Sequence, residues 1–273
     1  MRAFVLSGGG AAGAVQFGIA KGLMKGGIIP DKIFGTSAGG LNAFAISHMG
    51  LAAESFWLDV HKESDVFRGN LWVTYPFKSG MKTIAPLKKK IQKVADAYKP
   101  KIPFEVCILN LKTGVKEYYP QNGPDLVNMV CAGASMEGYV EPYVCDHGVY
   151  ADGGAVENVP LKKAVGAGAN EIHVILCWPL NTALVDDWKP GNIINILHRT
   201  YKCRQLELLL EDIRRCERKN GIDVCKNIRL HVHAPKKEVL DTLDFDNDKI
   251  KKGIYQGELV ARRFLEQQQI LDP

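Results

Sequence analysis

Short apolar runs alternate with longer stretches of helical periodicity along most of this chain. The apolar runs predict buried strands at 3–6, 33–34, 104–111, 171–177 and 228–232. The longer stretches predict helices at 14–25, 41–50, 52–61, 86–98, 124–134, 160–167, 191–220 and 246–269. Strands that alternate with helices in this way indicate an α/β layered fold with a mainly parallel sheet.

Three segments depart from this alternation. A second strand at 114–119 follows 104–111 closely, which predicts an antiparallel hairpin. Residues 66–83 are aromatic and basic with poor periodicity, and we interpret them as a loop or cap over the site. The Gly-, Pro- and Tyr-rich stretch at 135–152 predicts a further loop.

The composition is that of a globular protein with a mildly basic balance. Hydrophobic residues make up 46% and charged residues 24% of the 273 positions, and the net charge is +5. Such an excess suits an anionic membrane surface or an acidic ligand, although most such excesses are solvated surface. No apolar run approaches the roughly 18 residues of a membrane span, so we expect any membrane contact to be peripheral.

The seven cysteines favour a reducing compartment. They include no C-x-x-C pair and no zinc-like spacing with histidine. Cys107, Cys131 and Cys177 lie within apolar runs, as small buried hydrophobic residues do. We therefore expect a cytoplasmic protein, and the first apolar run is too short for a signal peptide.

A candidate nucleophile lies between a predicted strand and a predicted helix. Residues 35–39, GTSAG, match the pattern G-x-S-x-G directly after a short apolar run. In such a context the serine, here Ser37, is exposed on a sharp turn at a helix N-terminus. Gly35 and Gly39 remove side chains that would collide with the strand and the helix. Taken alone, the pattern fits a simple helix cap equally well.

The glycine-rich loop after the first strand has two interpretations. Gly8, Gly10 and Gly13 match the G-x-G-x-x-G fingerprint of dinucleotide-binding folds. Asp31 lies at the distance of that fold's acidic residue, but it precedes the next strand instead of ending it. Alternatively, the bare amides of Gly8, Gly9 and Gly10 form an oxyanion hole. The serine motif downstream favours the second interpretation.

A candidate base follows at Asp152. A serine hydroxyl is a poor nucleophile until a base takes its proton. Asp152, Gly153 and Gly154 place a carboxylate in a tight turn whose glycines allow close backbone approach. Considered in isolation, an Asp-Gly turn without chemistry is the commoner outcome.

Together, these motifs resemble those of the patatin-like phospholipases. The family order is matched by the loop at 8–13, GTSAG at 35–39 and DGG at 152–154, with support at 134–136, 141–142, 158–160 and 253–257. The resemblance covers about residues 3–265. It implies one domain over 1–273, a three-layer α/β/α sandwich around a mainly parallel sheet. The chain departs from the family at Ala12, where a basic residue is usual, and near Glu137, where a proline is common.

The resemblance also implies a lipid acyl hydrolase of the phospholipase A type with a Ser–Asp dyad and no cofactor. Ser37 would be the nucleophile and Asp152 the general base. Gly8, Gly9 and Gly10 would supply the oxyanion hole. Since an ester releases an alcohol, one carboxylate can act as base and then as acid, best with a pKa raised by burial. The substrate would be a phospholipid or another acyl-ester lipid at a membrane surface.

Histidine and metal chemistry receive weaker support from the sequence. A Ser–Asp–His triad could recruit His173, His198, His231 or His233. His173 lies in a strand pattern, and we interpret it as structural. His231 and His233 alternate on a strand, but the sequence offers no third ligand, so we expect no metal. The calcium-loop-like stretch 244–248 lacks the expected glycine and glutamate, and we interpret it as a helix cap.

Basic clusters at 88–90 and 214–219 are best explained as solvated helix faces. Anionic lipid headgroups come second, and we expect no nucleic acid. Trp72, Tyr75 and Phe77 fit an interfacial patch or the core of the cap itself. Two other functions stay open: a dinucleotide-binding oxidoreductase and a catalytically inactive lipid-binding module.

Overall fold

The computed structural model describes residues 1–69, 79–180, 191, 193–218 and 228–271. Residues 70–78, the centre of the predicted cap with its aromatic side chains, lie outside this described part. At the flanks of that segment, Arg68 and Thr83 pair in an isolated antiparallel bridge. The cap over the site therefore stays a prediction.

The described residues form an eight-stranded sheet. Its strands are β1 (Arg2–Leu6), β2 (Lys32–Thr36), β3 (Phe104–Asn110), β4 (Val115–Pro120), β5 (Tyr143–Cys145), β6 (Gly148–Asp152), β7 (Glu171–Ile175) and β8 (Arg229–His233). They follow the order β5-β6-β3-β2-β1-β7-β8, and β4 also pairs with β3. Strands β3, β2, β1, β7 and β8 run parallel to one another. β4 and β6 each pair antiparallel with β3, and β5 pairs antiparallel with β6. The expected mainly parallel sheet is confirmed.

Helices cover both faces of the sheet. They are α1 (Gly13–Lys25), α2 (Ala38–Met49), α3 (Glu54–Leu58), α4 (Ala85–Ala97), α5 (Leu126–Ala132), α6 (Leu161–Gly166), α7 (Ile193–Arg218) and α8 (Asn247–Leu271). Successive strand residues point to opposite faces, so β1 contributes to two cores. Phe4 packs in the core that includes α1, α2 and α8. Val5 packs in the core that includes α6 and Leu209 of α7, which confirms the three layers.

Strand β3 has one partner on its first half and another on its second half along the same edge. β2 pairs with β3 as far as Thr36, which lies opposite Cys107. From the next residue, Ile108, onward, β3 pairs with β6 instead, and Asp152, the last residue of β6, lies opposite Ile108. The residue after Thr36 is Ser37. Two segments far apart in sequence therefore end side by side on β3.

The prediction of a loop over 135–152 is wrong for the second half of that stretch, where β5 and β6 form an antiparallel hairpin. β5 has only three residues at the edge of the sheet, and its Val144 is 66% exposed. A short, half-exposed edge strand gives little of the alternation that reveals strands in sequence. The helix predicted at 52–61 is also shorter than expected, since α3 covers Glu54–Leu58.

Several smaller expectations are confirmed. Cys107, Cys131 and Cys177 are buried. Asp246 caps α8 through its carboxylate, which accepts a hydrogen bond from the Lys249 amide at 2.9 Å. Among the described helices, none combines the length and the apolar character that crossing a bilayer requires.

Candidate active site

Ser37 lies at the sharp turn between β2 and α2. Its backbone has φ 54° and ψ −123°, a conformation that residues with a side chain rarely adopt. Gly39 permits the turn, because a Cβ there would lie 2.3 Å from the carbonyl oxygen of Leu6 in β1. The Ser37 side chain is half-buried at the N-terminus of α2. The strand, turn and helix predicted around this serine, with Gly35 near the end of β2, are therefore present.

The glycine loop after β1 lies against Ser37. A Cβ added to Gly8 would come within 3.1 Å of the Ser37 Cβ. The Gly8 amide donates to the Oδ1 atom of Asn158 at 2.9 Å and to its carbonyl oxygen at 3.2 Å. Within the described part of the chain, the amides of Gly9 and Gly10 have no hydrogen-bond acceptor. The loop thus offers two uncommitted N–H groups, and its third is held by Asn158.

A buried polar network connects this loop to the helices beneath it. Gln16 in α1 donates to the carbonyl oxygen of Ser7 at 2.9 Å. Asn42 in α2 donates to the Oε1 atom of Gln16 and to the carbonyl oxygen of Gly13, each at 2.9 Å. Trp57 donates in turn to the Oδ1 atom of Asn42 at 2.8 Å. Our sequence analysis missed this network, although its signal is visible as single polar residues within apolar helical runs.

Asp152 ends β6 and lies beside Ser37. Its carboxylate accepts a hydrogen bond from the Gly154 amide at 2.8 Å, and the Ser37 hydroxyl lies near enough to interact with it. Burial and, second, the negative charge of Glu137 raise the pKa of Asp152 to about 7, although the Ser37 hydroxyl and the Gly154 amide oppose the rise. Gly153 and Gly154 lie in the 3-10 turn that follows. The structure therefore brings the predicted nucleophile and the predicted base into contact.

Helix α7 lies over the aspartate turn, which the sequence did not indicate. Gln205 is buried and donates to the carbonyl oxygen of Gly154. The Tyr201 hydroxyl fills the space where a Cβ of Gly154 would stand. Burial and, second, the charge of Asp152 raise the pKa of Tyr201. In the sequence, Tyr201 is one member of an apolar helical stripe and looks like an ordinary core residue.

Comparison with known protein families shows which family this chain belongs to. Residues 4–165, more than half of the chain, match the family described as Patatin-like phospholipase. The chain belongs to this family. Among solved structures, it is similar to VipD from Legionella pneumophila, with a TM-score of 0.51 and 13% identity over 97% of this chain and 67% of that one. At that identity the likeness shows the fold alone, and the comparison with curated proteins found no match.

Membership of the patatin-like phospholipases confirms two expectations at the level of the family. The fold is the expected α/β sandwich, and the activity of the family is hydrolysis of lipid acyl esters. The glycine loop, Ser37 and Asp152 all lie within the matched residues. Helix α7, which contacts the aspartate turn, lies beyond them.

Three of the candidate triad histidines in this patatin-like protein, His173, His231 and His233, pack against one another. The ring of His173 stacks with that of His231 at 4.7 Å between centroids and with that of His233 at 5.2 Å. Burial lowers the pKa of His173 to about 4 and that of His233 to about 3. The side chain of His198 lies outside the described part. The structural role predicted for His173 fits these contacts.

The position of Asp31 argues against the dinucleotide-binding interpretation of the glycine loop. Asp31 precedes β2, and its carboxylate accepts a hydrogen bond from the Arg2 amide at 2.7 Å. Arg2 begins β1, whereas the loop follows the carboxyl end of that strand. An acidic residue that binds a ribose belongs at the same end as the loop. Asp31 therefore lies at the wrong end of the sheet.

A cavity of about 290 Å³ adjoins the glycine loop. Ser7 and Asn158, the neighbour and the hydrogen-bond partner of Gly8, are among the residues that line it. Its apolar lining comes from Leu176, Trp178, Leu206 and Leu209, and its basic lining from Arg199 and Lys202. Glu207 and Glu238 also line it, and Lys202 is paired with Glu238, so the cavity offers mainly apolar walls with balanced charges next to the candidate oxyanion loop.

Proposed function

We propose that this protein is a serine lipid acyl hydrolase of the phospholipase A type, which cleaves glycerolipid acyl esters through an acyl-enzyme intermediate. One observation carries the proposal: the Ser37 hydroxyl lies beside the buried carboxylate of Asp152 and interacts with it. Nucleophilic catalysis requires a hydroxyl and a base within hydrogen-bond reach. Membership of the patatin-like family supports the choice of a lipid ester as substrate.

In the first step, ionised Asp152 takes the hydroxyl proton of Ser37 while the serine oxygen attacks the ester carbonyl carbon. A pKa of about 7 places the carboxyl near the ambient pH, where a general base works best. The strained turn holds the serine oxygen clear of its own strand and helix. The attack converts the carbonyl oxygen into an oxyanion.

We assign stabilisation of that oxyanion to the amides of Gly9 and Gly10, which are uncommitted within the described residues. The Gly8 amide, also predicted as a donor, is held by Asn158 and fixes the loop in place. The Ala38 amide at the start of α2 is a further donor, because the first N–H groups of a helix have no partner within it. Donors oriented before the reaction cost no reorganisation during it.

The alkoxide of the lyso-lipid then leaves with the proton held by Asp152. An alcohol is an easier leaving group than an amine, so the carboxyl can serve without a histidine between it and the serine. Water next loses a proton to Asp152 and attacks the acyl-enzyme. This second step releases the fatty acid and restores the Ser37 hydroxyl.

The surroundings of the dyad support a lipid substrate at a membrane surface. The apolar walls of the 290 Å³ cavity suit part of an acyl chain. The net charge of +5 favours approach to anionic lipid. We infer peripheral rather than integral attachment.

The proposal is tested by labelling the purified protein with a fluorophosphonate and locating the adduct by mass spectrometry. We expect one adduct, on Ser37, together with release of fatty acid from phospholipid vesicles. Ser37→Ala should lose both the adduct and the hydrolysis. Ser55→Ala is the matched control, because Ser55 is exposed and its hydroxyl contacts only its own helical turn. Labelling elsewhere, or full hydrolysis by folded Ser37→Ala, would refute the proposal.

A further inference from the structure

A second cluster of chemically active side chains lies between β7 and β8. Glu171 and His173 are two residues apart on β7, so they point to the same face of the sheet. β8 pairs with β7 in parallel, and His231 lies directly opposite His173. Glu171, His173 and His231 each offer one ligand atom, and all three atoms lie within 4.8 Å of one another. Strand pairing supplies the third ligand that the sequence of β8 lacked.

The spacing within the cluster fits a transition-metal ion. The Nε2 atom of His173 lies 3.3 Å from Oε1 of Glu171. Tetrahedral zinc with bonds of about 2.0–2.1 Å places neighbouring ligand atoms about 3.3–3.4 Å apart. The His231 ligand atom lies within 4.8 Å of the other two, and its partly buried ring stacks on His173 and packs edge-on against Phe264, so binding requires this ring to tilt. Two imidazoles and one carboxylate form a donor set that zinc and related ions accept.

His233 supports the orientation of the cluster. Its Nε2 atom lies 2.9 Å from Nδ1 of His173, a hydrogen bond in which either ring can donate. When His173 donates through Nδ1, its Nε2 lone pair points to Glu171 and is available to an ion. Metal-bound histidines usually hold their second ring nitrogen in such a bond. Phe264 of α8 packs edge-on against the His233 ring and limits its movement.

Two arginines compete for the carboxylate. Arg2 lies 3.0 Å from Oε1 of Glu171, and Arg229 lies 3.2 Å from Oε2. The Arg229 side chain is 76% exposed and can swing into solvent, whereas Arg2 is partly buried. Their positive charges oppose a cation and reduce its affinity. Removing the exposed arginine should therefore strengthen binding, an effect opposite to that of removing a ligand.

We propose that Glu171, His173 and His231 form a binding site for a divalent first-row transition metal ion such as Zn²⁺, with His233 as the positioning residue. The site lies on strands β7 and β8, and the ligand and positioning residues make no recorded contact with Ser37 or Asp152 within the described residues. The bound ion would connect edge strand β8 to its neighbour. The inference stands independently of the proposed hydrolase activity.

The test is a competition titration of tag-free, full-length protein with Zn²⁺ against a chromophoric chelator. We expect one equivalent to bind and its affinity to fall at least about tenfold in Glu171→Gln and in His231→Ala. Arg229→Gln should bind more tightly than the wild type. His61→Ala is the matched control, because that histidine is exposed and outside the cluster. Circular dichroism should show all four variants folded.

Cobalt distinguishes this site from adventitious binding by sulfur. Bound Co²⁺ should give the visible absorption of a site with nitrogen and oxygen ligands and no strong thiolate band. Cys203 is an exposed free cysteine, so Cys203→Ser is the control for metal held by sulfur. The proposal is wrong if no stoichiometric binding occurs, if His231→Ala leaves the affinity unchanged, or if Cys203→Ser abolishes binding.

Discussion

Burial shifts pKa values in opposite directions in the proposed Ser–Asp dyad and in the histidine cluster. Burial raises the pKa of Asp152 to about 7 and lowers that of His173 to about 4. In both places the low-polarity surroundings favour the uncharged form of the side chain. A buried acid then keeps a proton that it can exchange near neutral pH, whereas a buried imidazole keeps a free lone pair.

The two regions differ more in their backbone. Ser37 lies on a strained turn and Asp152 at the end of a strand, where each side chain can reach a reacting group. Glu171, His173 and His231 instead lie within regular strands, where pairing fixes their spacing. The comparison teaches that burial adjusts protonation in either place, whereas the backbone decides whether the group faces a substrate or a neighbour.

The largest expected effect is that of Asp152→Asn on hydrolysis. Without the base, kcat should fall by about 10³-fold or more, as removal of a member of a catalytic unit does. The measurement is fatty-acid release from phospholipid vesicles at pH 8. Asp248→Asn, on the exposed surface of α8, should keep wild-type activity. A folded Asp152→Asn protein with wild-type kcat would exclude the aspartate as base.

The same Asp152→Asn substitution should not lower the thermal stability at pH 8. The folded pKa of about 7 exceeds the ordinary 3.8, so the folded state holds this proton more tightly than the unfolded state. Stability from this group is therefore fully present below pH 3.8 and is lost as pH rises through 7. We expect the Tm of the variant relative to wild type to be higher at pH 8 than at pH 4. A clear fall in Tm at pH 8 would instead indicate a structural role.

The pH dependence of the wild-type rate is the next largest effect. Since Asp152 must be ionised to accept the serine proton, kcat/KM should rise with pH and reach half of its plateau near pH 7. Below that point the rate should fall about tenfold for each pH unit. Initial rates on a water-soluble ester between pH 5 and pH 9 measure this profile. A rate that stays flat from pH 5 to pH 9 would contradict the raised pKa.

The smallest expected effect connects the two regions. If the histidine cluster is separate from the chemistry, EDTA should leave kcat unchanged while it removes any added Zn²⁺. The Tm should fall on the same treatment, because an ion that binds only the folded state stabilises it. Hydrolysis and thermal unfolding of one zinc-loaded sample measure both. Loss of activity together with the metal would show that the histidine cluster takes part in the hydrolysis.

Much of the fold is predictable from local patterns. Apolar runs marked β1, β2, β3, β7 and β8, and glycines marked the end of α1 and the turn at Ser37. The prediction missed β5 because three residues at an exposed edge carry almost no periodic signal, and it missed β6 because that mostly buried strand begins at a glycine and ends at an aspartate, which look like parts of a loop. The order of the strands required knowledge of which apolar faces meet, and no single segment contains that information.

Within the candidate site, the motifs predicted Ser37 and Asp152, with support at 158–160, but not the contacts around them. The hydrogen bond from Gly8 to Asn158 joins residues 150 positions apart, and the contact of Gln205 with Gly154 joins residues 51 positions apart. Such contacts depend on tertiary packing rather than on local composition. The third member of the histidine cluster likewise became visible only when β7 and β8 were paired.

The succession of β2 and β6 along β3 has one further consequence. Thr36 and Asp152 lie opposite consecutive residues of the same strand, so the backbone of Cys107 and Ile108 sets the separation of the dyad. Sliding β6 along β3 by a single residue would turn the carboxylate to the other side of the sheet. Insertions in the surface loops leave that distance untouched, so the spacing of the two side chains depends on one peptide unit of a strand that itself carries no reacting group.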